Sequence, residues 1–286
     1  MKIKFLQAEE LYINSNLTLR EVCSKIKIDR YTFSNYLKSK NISTRKKIDC
    51  DDTVFEKIDD EYKAYWLGFL YADGSVTYNL NRKKYTIELS LAEKDYTHLE
   101  KFRTFLKSNR NIKYRDKQKA YRFTINSKKM CEDLINLGCV PTKSLILRFP
   151  NITQVPEYLI NHFIRGYFDG DGCISLDLKK NTFSTSLLGT FEFVNIIIDK
   201  YKPSLNKYHK NNTYTLRFKV QDALIFLYDI YNNSNVYLDR KFEKYNFILK
   251  NCRSGKKFLE LLESKNGEGW DVNTVVTIIV KKIIEP

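Results

Sequence analysis

Along the first 45 residues apolar positions recur at helical spacing in three short runs. Phe5, Leu6, Leu11 and Ile13 mark one helix face, which Asn14-Ser15-Asn16 interrupts. Thr18 is placed to cap a second helix bearing Leu19, Val22, Cys23 and Ile26, and Glu21, three residues on, completes a capping box. A turn at Lys27-Ile28-Asp29 follows, with Asp29 placed to cap a third helix carrying Tyr31, Phe33, Tyr36 and Leu37. Two short helices joined by a tight turn suit a helix-turn-helix, and Arg30, Thr32, Asn35 and Lys38 are of the types that reach base edges and phosphates. An ordinary three-helix bundle is the plainer alternative. Residues 1–45 are read as this small all-α module, and 46–55, continuing the run Arg45-Lys46-Lys47, as a basic linker.

Beyond residue 56 the pattern changes. An apolar helix over 62–72 ends at Asp73-Gly74, and the alternation over 85–91 predicts a strand. A helix from Asp95 carries Leu99, Phe102 and Leu106; a strand over 121–125 and a helix with Met130, Leu134, Ile135 and Leu137 follow, stopped by Gly138. The same order then returns. An apolar helix over 159–170 ends at Asp171-Gly172, a strand begins at Ile174, a helix spans 191–201, a strand 214–218 and a helix 222–231. The chain is therefore α+β, with a duplicated αββαββα plan, a period near 98 residues (Asp73 to Asp171) and an expected pseudo-two-fold axis. The first half is placed at 56–155, the second at 156–251, and an extension at 252–286. In that extension Phe258, Leu259 and Leu262 suggest a helix and 275–280 a strand or second helix, with no function read for it.

Charge narrows the partners. Lys and Arg number 49 against 34 Asp and Glu, a formal net charge of +15, while 43% apolar residues suffice for a packed core. No run approaches the ~20 apolar residues of a membrane span, and Met1-Lys2-Ile3-Lys4-Phe5 lacks the apolar core of a signal peptide. Nucleic acid is the polyanion left. The six cysteines form no C-x-x-C pair and read as small core residues of an intracellular, reducing compartment: bacterial or phage-infected cytoplasm, or an organelle. With only His98, His162 and His209, a zinc centre, an HNH nuclease centre or a metal-independent RNase centre is hard to build.

The two apolar helices align without gaps, Trp66-Leu67-Gly68-Phe69-Leu70-Tyr71-Ala72-Asp73-Gly74 against Ile164-Arg165-Gly166-Tyr167-Phe168-Asp169-Gly170-Asp171-Gly172. Each puts a small residue four positions after a glycine (Gly68 and Ala72, Gly166 and Gly170), so one face is stripped of bulk and two backbones can approach. Packed about a two-fold axis, such helices bring Asp73 and Asp171 together at its base. Adjacent carboxylates repel unless a divalent cation lies between them, and phosphodiester hydrolysis needs such cations.

These paired nonamers resemble the LAGLIDADG motifs of homing endonucleases over roughly residues 56–250, and His162 to Gly172 is especially similar. The resemblance implies two four-stranded sheets forming a saddle over double-stranded DNA, motif helices at the interface, and a monomer. It also implies Mg²⁺-dependent hydrolysis of both strands of a long site, with Mn²⁺ as a substitute, in the service of intron mobility. By position Asp73 and Asp171 are the catalytic, metal-binding acids, and the carbonyls of Ala72 and Gly170 the additional ligands. The often acidic sixth position is Tyr71 in one copy and Asp169 in the other, and is not a ligand in the family. Lys143 and Lys241 each follow their Asp by 70 positions and match the family's basic active-site residue, with Arg240 the competitor for the second. Glu93 matches a water-positioning residue, for which the second half offers Gly189. Arg82, Lys84, Arg115, Lys117, Arg122, Lys179, Lys207, Lys210, Arg217 and Lys219 are the candidate DNA contacts of the strands; singly, each also suits a solvated sheet face. The scaffold also serves non-catalytic regulators and maturases that act on structured intron RNA. Retention of both acids argues against the first, and the missing terminal Cys or Ser and His-Asn against an intein.

Overall fold

A computed structural model describes residues 2–266, apart from 16, 43, 45–49 and 209–211. It divides into two units, 1–49 and 50–286. The small unit has helices α1 (Lys2–Asn14), α2 (Leu19–Ile26) and α3 (Arg30–Ser39). The Thr18–Glu21 capping box forms, and the Asp29 side chain accepts from the Thr32 amide. Lys27, with φ 54°, turns the chain between α2 and α3. The face of α1 differs from the expected one: Leu6 and Ile13 are 54% and 51% exposed, and Ala8 and Tyr12 are buried instead. Positions 5, 8 and 12 follow the helical repeat, whereas 6 and 13 fall off that stripe. Phe5, Ala8 and Tyr12 pack with Val22, Phe33 and Leu37 into a core of the unit's own.

In the large unit the duplicated plan is present element by element. The first half runs α4 (Glu61–Asp73), β1 (Gly74–Asn79), β2 (Lys84–Ala92), α5 (Tyr96–Phe105), β3 (Lys113–Arg115), β4 (Ala120–Ile125) and α6 (Lys128–Asn136). The second runs α7 (Ile160–Asp171), β5 (Gly172–Asp177), β6 (Thr182–Thr190), α8 (Phe191–Tyr201), β7 (Ser204–Tyr208), β8 (Thr213–Phe218) and α9 (Val220–Tyr231). Each half makes a four-stranded antiparallel sheet, β1-β2-β4-β3 and β5-β6-β8-β7. Registers correspond, Gly74 opposite Leu89 and Gly172 opposite Leu187. Ile87, Leu89, Leu91, Phe123 and Ile125 are buried under α5 and α6 in the first sheet, and Phe183, Leu187, Leu216 and Phe218 under α8 and α9 in the second. The opposite face of each sheet is the uncovered one among the described residues.

The structure departs from the sequence pattern at three places. Cys50, Val54 and Phe55 are buried in the large unit's core, so the second part of the segment read as linker belongs to that core. Helix α10 (Asp239–Asn251), which carries Lys241, was not expected; it is followed by α11 (Arg253–Asn266), where a helix was, while 275–280 lies outside the described residues. Cys173 is exposed on β5, against five buried cysteines.

The halves are tied by buried polar groups. Arg165, 1% exposed, donates from Nε to the Val236 carbonyl at 2.9 Å, from Nη1 to the Ile230 carbonyl at 2.8 Å and from Nη2 to Glu61 at 2.6 Å. Glu61 also accepts from the backbone and side-chain nitrogens of Asn235. Nearby, the Tyr65 hydroxyl donates to Asp169 at 2.8 Å, so its single proton is committed and His98 Nε2, 3.0 Å away, is the donor in that pair. Asp169 accepts from Tyr231 and from the Leu238 amide as well.

Burial holds the His98 pKa down at about 3, so the folded chain keeps this ring neutral while the unfolded chain protonates it below about 6.5. Its contribution to stability is complete above pH 6.5 and is lost as pH falls from there toward 3, at about 1.4 kcal/mol per unit. We expect His98→Gln, which keeps a donor for Tyr65, to flatten the acid limb of a melting-temperature profile between pH 6.5 and 4.5. A profile as steep as that of the parent would assign the acid sensitivity to other groups.

Candidate functional site

Glycine at two corresponding positions makes the central interface possible. A Cβ on Gly68 would lie 2.0 Å from the Phe163 carbonyl oxygen, and one on Gly166 only 1.9 Å from the Tyr65 carbonyl oxygen. The two contacts are images of each other under the 98-residue shift. A Cβ on Gly170 would meet the Ala72 Cβ at 2.3 Å and the Asp73 carboxylate at 3.4 Å. So α4 and α7 touch backbone to backbone, and both end in an aspartate as the chain turns into the first strand of its sheet.

The two acids are thereby brought together. Both are exposed as whole residues, while their carboxylates are crowded enough by neighbouring atoms for desolvation to lead the causes of their shifts. That partial desolvation, followed by the repulsion of Asp171, pushes Asp73 up to about 6. Burial likewise raises Asp171, against the pull of Lys143, Lys241 and the Tyr167 hydroxyl. A cavity of about 300 Å³ beside them is lined by Ala72, Lys143, Tyr167, Asp171, Gly189 and Thr213 among others. Among the described residues no group of three or more His, Cys, Asp and Glu side chains is placed to hold a metal, here or elsewhere, so the protein side chains at this site are the two carboxylates alone. Two accessible carboxylates with raised pKa values, offering oxygen only, fit a Mg²⁺-like ion, which uses one or two carboxylates and fills its shell with water and phosphate.

Lys143 and Lys241 occupy corresponding places but are held differently. Lys143 donates to the Gly74 carbonyl and remains half-buried, on a 3₁₀ turn (Lys143–Leu145). Thr142 before it has φ 54°, a left-handed conformation that a β-branched residue adopts only under constraint. Lys241 is 2% exposed and gives its protons to the carbonyls of Phe168 at 2.6 Å, Asp169 at 2.8 Å and Gly172. It closes the C-terminal end of α7, and burial brings its pKa down to about 8. Arg240 is engaged elsewhere, on the buried Asp95 at 2.8 Å.

Of the remaining candidates, Glu93 is exposed just past β2, where its carbonyl accepts from the Tyr96 amide in a 3₁₀ turn (Glu93–Asp95). The register equates it with Phe191, not with Gly189. Lys84, Arg115 and Arg122 project from the uncovered face of the first sheet, and Arg217 from that of the second. Arg82, Lys117 and Lys179 are exposed in the connecting turns, and Lys219 caps α9. The side chains of Lys207 and Lys210 lie outside the described residues. Arg30, Thr32, Asn35 and Lys38 share the exposed side of α3 with Tyr31, 75% exposed, while Phe33 and Leu37 are buried. Tyr167 was missed: it lies one helical turn before Asp171, where the other half has Phe69, and its hydroxyl reaches both Asp171 and the Leu188 carbonyl.

Two family models match the chain, one described as LAGLIDADG endonuclease over residues 66–137 and one as LAGLIDADG-like domain over 159–236. No curated protein matches it. Similar solved structures include the I-LtrWI LAGLIDADG homing endonuclease bound to target DNA, 10% identical with a TM-score of 0.46, the match covering 78% of this chain and 97% of that one. Two others are the LAGLIDADG homing endonuclease I-GzeII in complex with DNA target (13%, TM-score 0.45, covering 79% and 97%) and the LAGLIDADG meganuclease I-AabMI bound to uncleaved DNA (15%, TM-score 0.44, covering 76% and 97%).

Proposed function

The chain belongs to the LAGLIDADG endonuclease family, and from that premise we propose that it is a site-specific, Mg²⁺-dependent endonuclease that hydrolyses both strands of a long double-stranded DNA target as a monomer. The observation that carries this is the pair Asp73 and Asp171, held side by side by two helices that meet through glycine. Their carboxylates, with the carbonyls of Ala72 and Gly170, are the ligand set, and Mn²⁺ has the same preference for oxygen. A divalent ion bound there supplies charge neutralisation at the scissile phosphate and a more acidic water. Lys143 is the basic group with protons to turn toward a developing charge, whereas Lys241 holds the end of α7 and so fixes where Asp171 points. Two motif copies within one chain remove the need for a second copy.

The test is a two-step selection from a randomised duplex library. Binding in Ca²⁺ recovers a consensus, and Mg²⁺ is then added. Cut ends near the centre of a long consensus support the reading; a duplex bound tightly and never cut makes the protein a regulator, and selection of structured RNA alone makes it a maturase.

The small unit is proposed as a second DNA reader through Arg30, Thr32, Asn35 and Lys38 on α3. Deleting residues 1–45 is expected to weaken affinity for the selected site by about 10-fold or more, roughly 1.4 kcal/mol, with single-turnover cleavage at saturation unchanged. An unaltered dissociation constant would leave the unit without a DNA role.

A further inference from the structure

The uncovered faces of the two sheets are built from different chemistry, although the sheets share topology and register. On the first, the described outward residues of β1, β2 and β4 are Ser75, Thr77, Asn79, Lys84, Thr86, Glu88, Ser90, Ala92, Ala120, Arg122 and Thr124, and the short edge strand β3 adds Lys113 and Arg115. On the second, the corresponding places of β5, β6 and β8 carry Cys173, Ser175, Asp177, Thr182, Ser184, Ser186, Leu188, Thr213, Thr215 and Arg217. Registers pair Glu88 with Ser186 and Arg122 with Thr215. Over the three strands compared, two cations and one acid face outward on the first sheet, against one cation and one acid among hydroxyls on the second; the edge strand β3 adds two cations to the first, and the side chains of 205–208 on the second sheet's edge strand lie outside the described residues.

Within the basic face one cation is paired with an acid. Arg122 Nη1 lies 3.2 Å from Glu88 Oε2, both side chains about a quarter exposed. Arg122 on β4 stands opposite Ser90, one register row and two strands from Gly74, the residue that follows the acid Asp73. A guanidinium drawn to a carboxylate on one side, with its buried Nε left without a hydrogen-bond partner among the described residues, offers a planar fork with donors still to be used. That is the donor geometry matched by guanine O6 and N7 in the major groove, which is wide enough to admit β-strands. Serine and threonine hydroxyls bond to any base edge, and threonine and leucine carbons suit a thymine methyl, so the second face discriminates by shape and apolar contact with little charge.

We propose that the target is read with opposite strategies on its two sides: a half-site with a G·C pair facing Arg122 that supplies most of the electrostatic affinity, and an A·T-tolerant half-site lying on the hydroxyl face. This rests on the DNA-endonuclease reading and adds which half-site carries charge and which base is demanded.

The test uses the full chain and binding alone, in Ca²⁺, on duplexes recovered from a randomised library, with fluorescence anisotropy over a range of KCl concentrations. Arg122→Gln is expected to lower affinity for the G·C duplex by 5- to 150-fold, a loss of about 1–3 kcal/mol, and to abolish the base preference at that position alone. Arg122→Lys keeps the pairing charge and loses the fork, so the preference should vanish while the salt slope stays. The double variant Ser184→Ala and Ser186→Ala should leave the salt slope unchanged and alter base preference only in the other half-site. Equal weakening on every duplex after Arg122→Gln would make that side chain a phosphate contact and overturn the proposal, as would a consensus with no G·C position sensitive to Arg122. If the parent chain binds no duplex at all, the DNA reading itself falls, which is a different result from binding with the wrong pattern.

Discussion

Asp171→Asn and Asp73→Asn, each alone, are expected to lower double-strand cleavage by about three orders of magnitude or more, roughly 4 kcal/mol of transition-state stabilisation, while binding in Ca²⁺ changes by only a few-fold. The substitution keeps size and hydrogen-bonding shape, so α4 and α7 pack as before, and it removes the charge that holds the cation. Loss of binding together with cleavage would mean that the acid supports the fold or the DNA surface, not the chemistry. A second readout needs no cleavage. Asp73 has its pKa raised to about 6 by its recessed position and by Asp171. A carboxyl raised in this way contributes stability at low pH that is lost as pH climbs through the folded value. In chelator, Asp73→Asn should therefore melt higher than the parent above pH 6 and no higher near pH 4. A variant that is less stable at both values would show that the two acids do not oppose each other.

How much of this was legible beforehand depends on whether neighbours in space were also neighbours in sequence. Thr18, Glu21 and Asp29 act within three residues of themselves, and their caps formed as expected. The paired nonamers carry their own register, because a glycine and a small residue four apart define a face, and the repeat supplies its partner. Hence the αββαββα plan and the positions of Asp73 and Asp171 could be written down from the chain. What the alignment could not give is what a side chain does with its protons. Lys143 and Lys241 are indistinguishable by spacing, yet one lies on a strained turn and the other is sealed under the end of α7. Helix α10 escaped because its stripe of Phe242, Tyr245, Ile248 and Leu249 is interleaved with charges and includes the buried Lys241, so its first turns read as a loop. The ties between Arg165 and Glu61, and between Arg122 and Glu88, join residues 104 and 34 positions apart, and no periodicity announces them. Tyr167 was the one omission within reach, since it precedes an identified acid by one helical turn.

The interface between the motif helices gives the second large effect. Gly166→Ala places a methyl 1.9 Å from a backbone oxygen of α4, and neither helix can yield by rotating a side chain. Alanine favours a helix over glycine by about 0.8–1 kcal/mol, which works in the variant's favour. Overpacking against movable side chains costs about 1–3 kcal/mol, and a clash with backbone belongs at or above the top of that range. The clash therefore wins, with an expected net loss of about 2–3 kcal/mol, and Gly68→Ala should behave alike because its obstacle is the corresponding carbonyl. Gly170 tests the explanation, since what a methyl meets there is the Cβ of Ala72, a side-chain atom that can be removed. Gly170→Ala should be destabilising and Ala72→Gly mildly so. Combined, they exchange the two residues across the interface and should recover most of the loss, giving a favourable coupling of about 1–2 kcal/mol in a double-mutant cycle. Cleavage should follow the same order, because the spacing of α4 and α7 is also the spacing of Asp73 and Asp171. Additive melts in that cycle would mean that the small residues serve something other than the close approach of the helices.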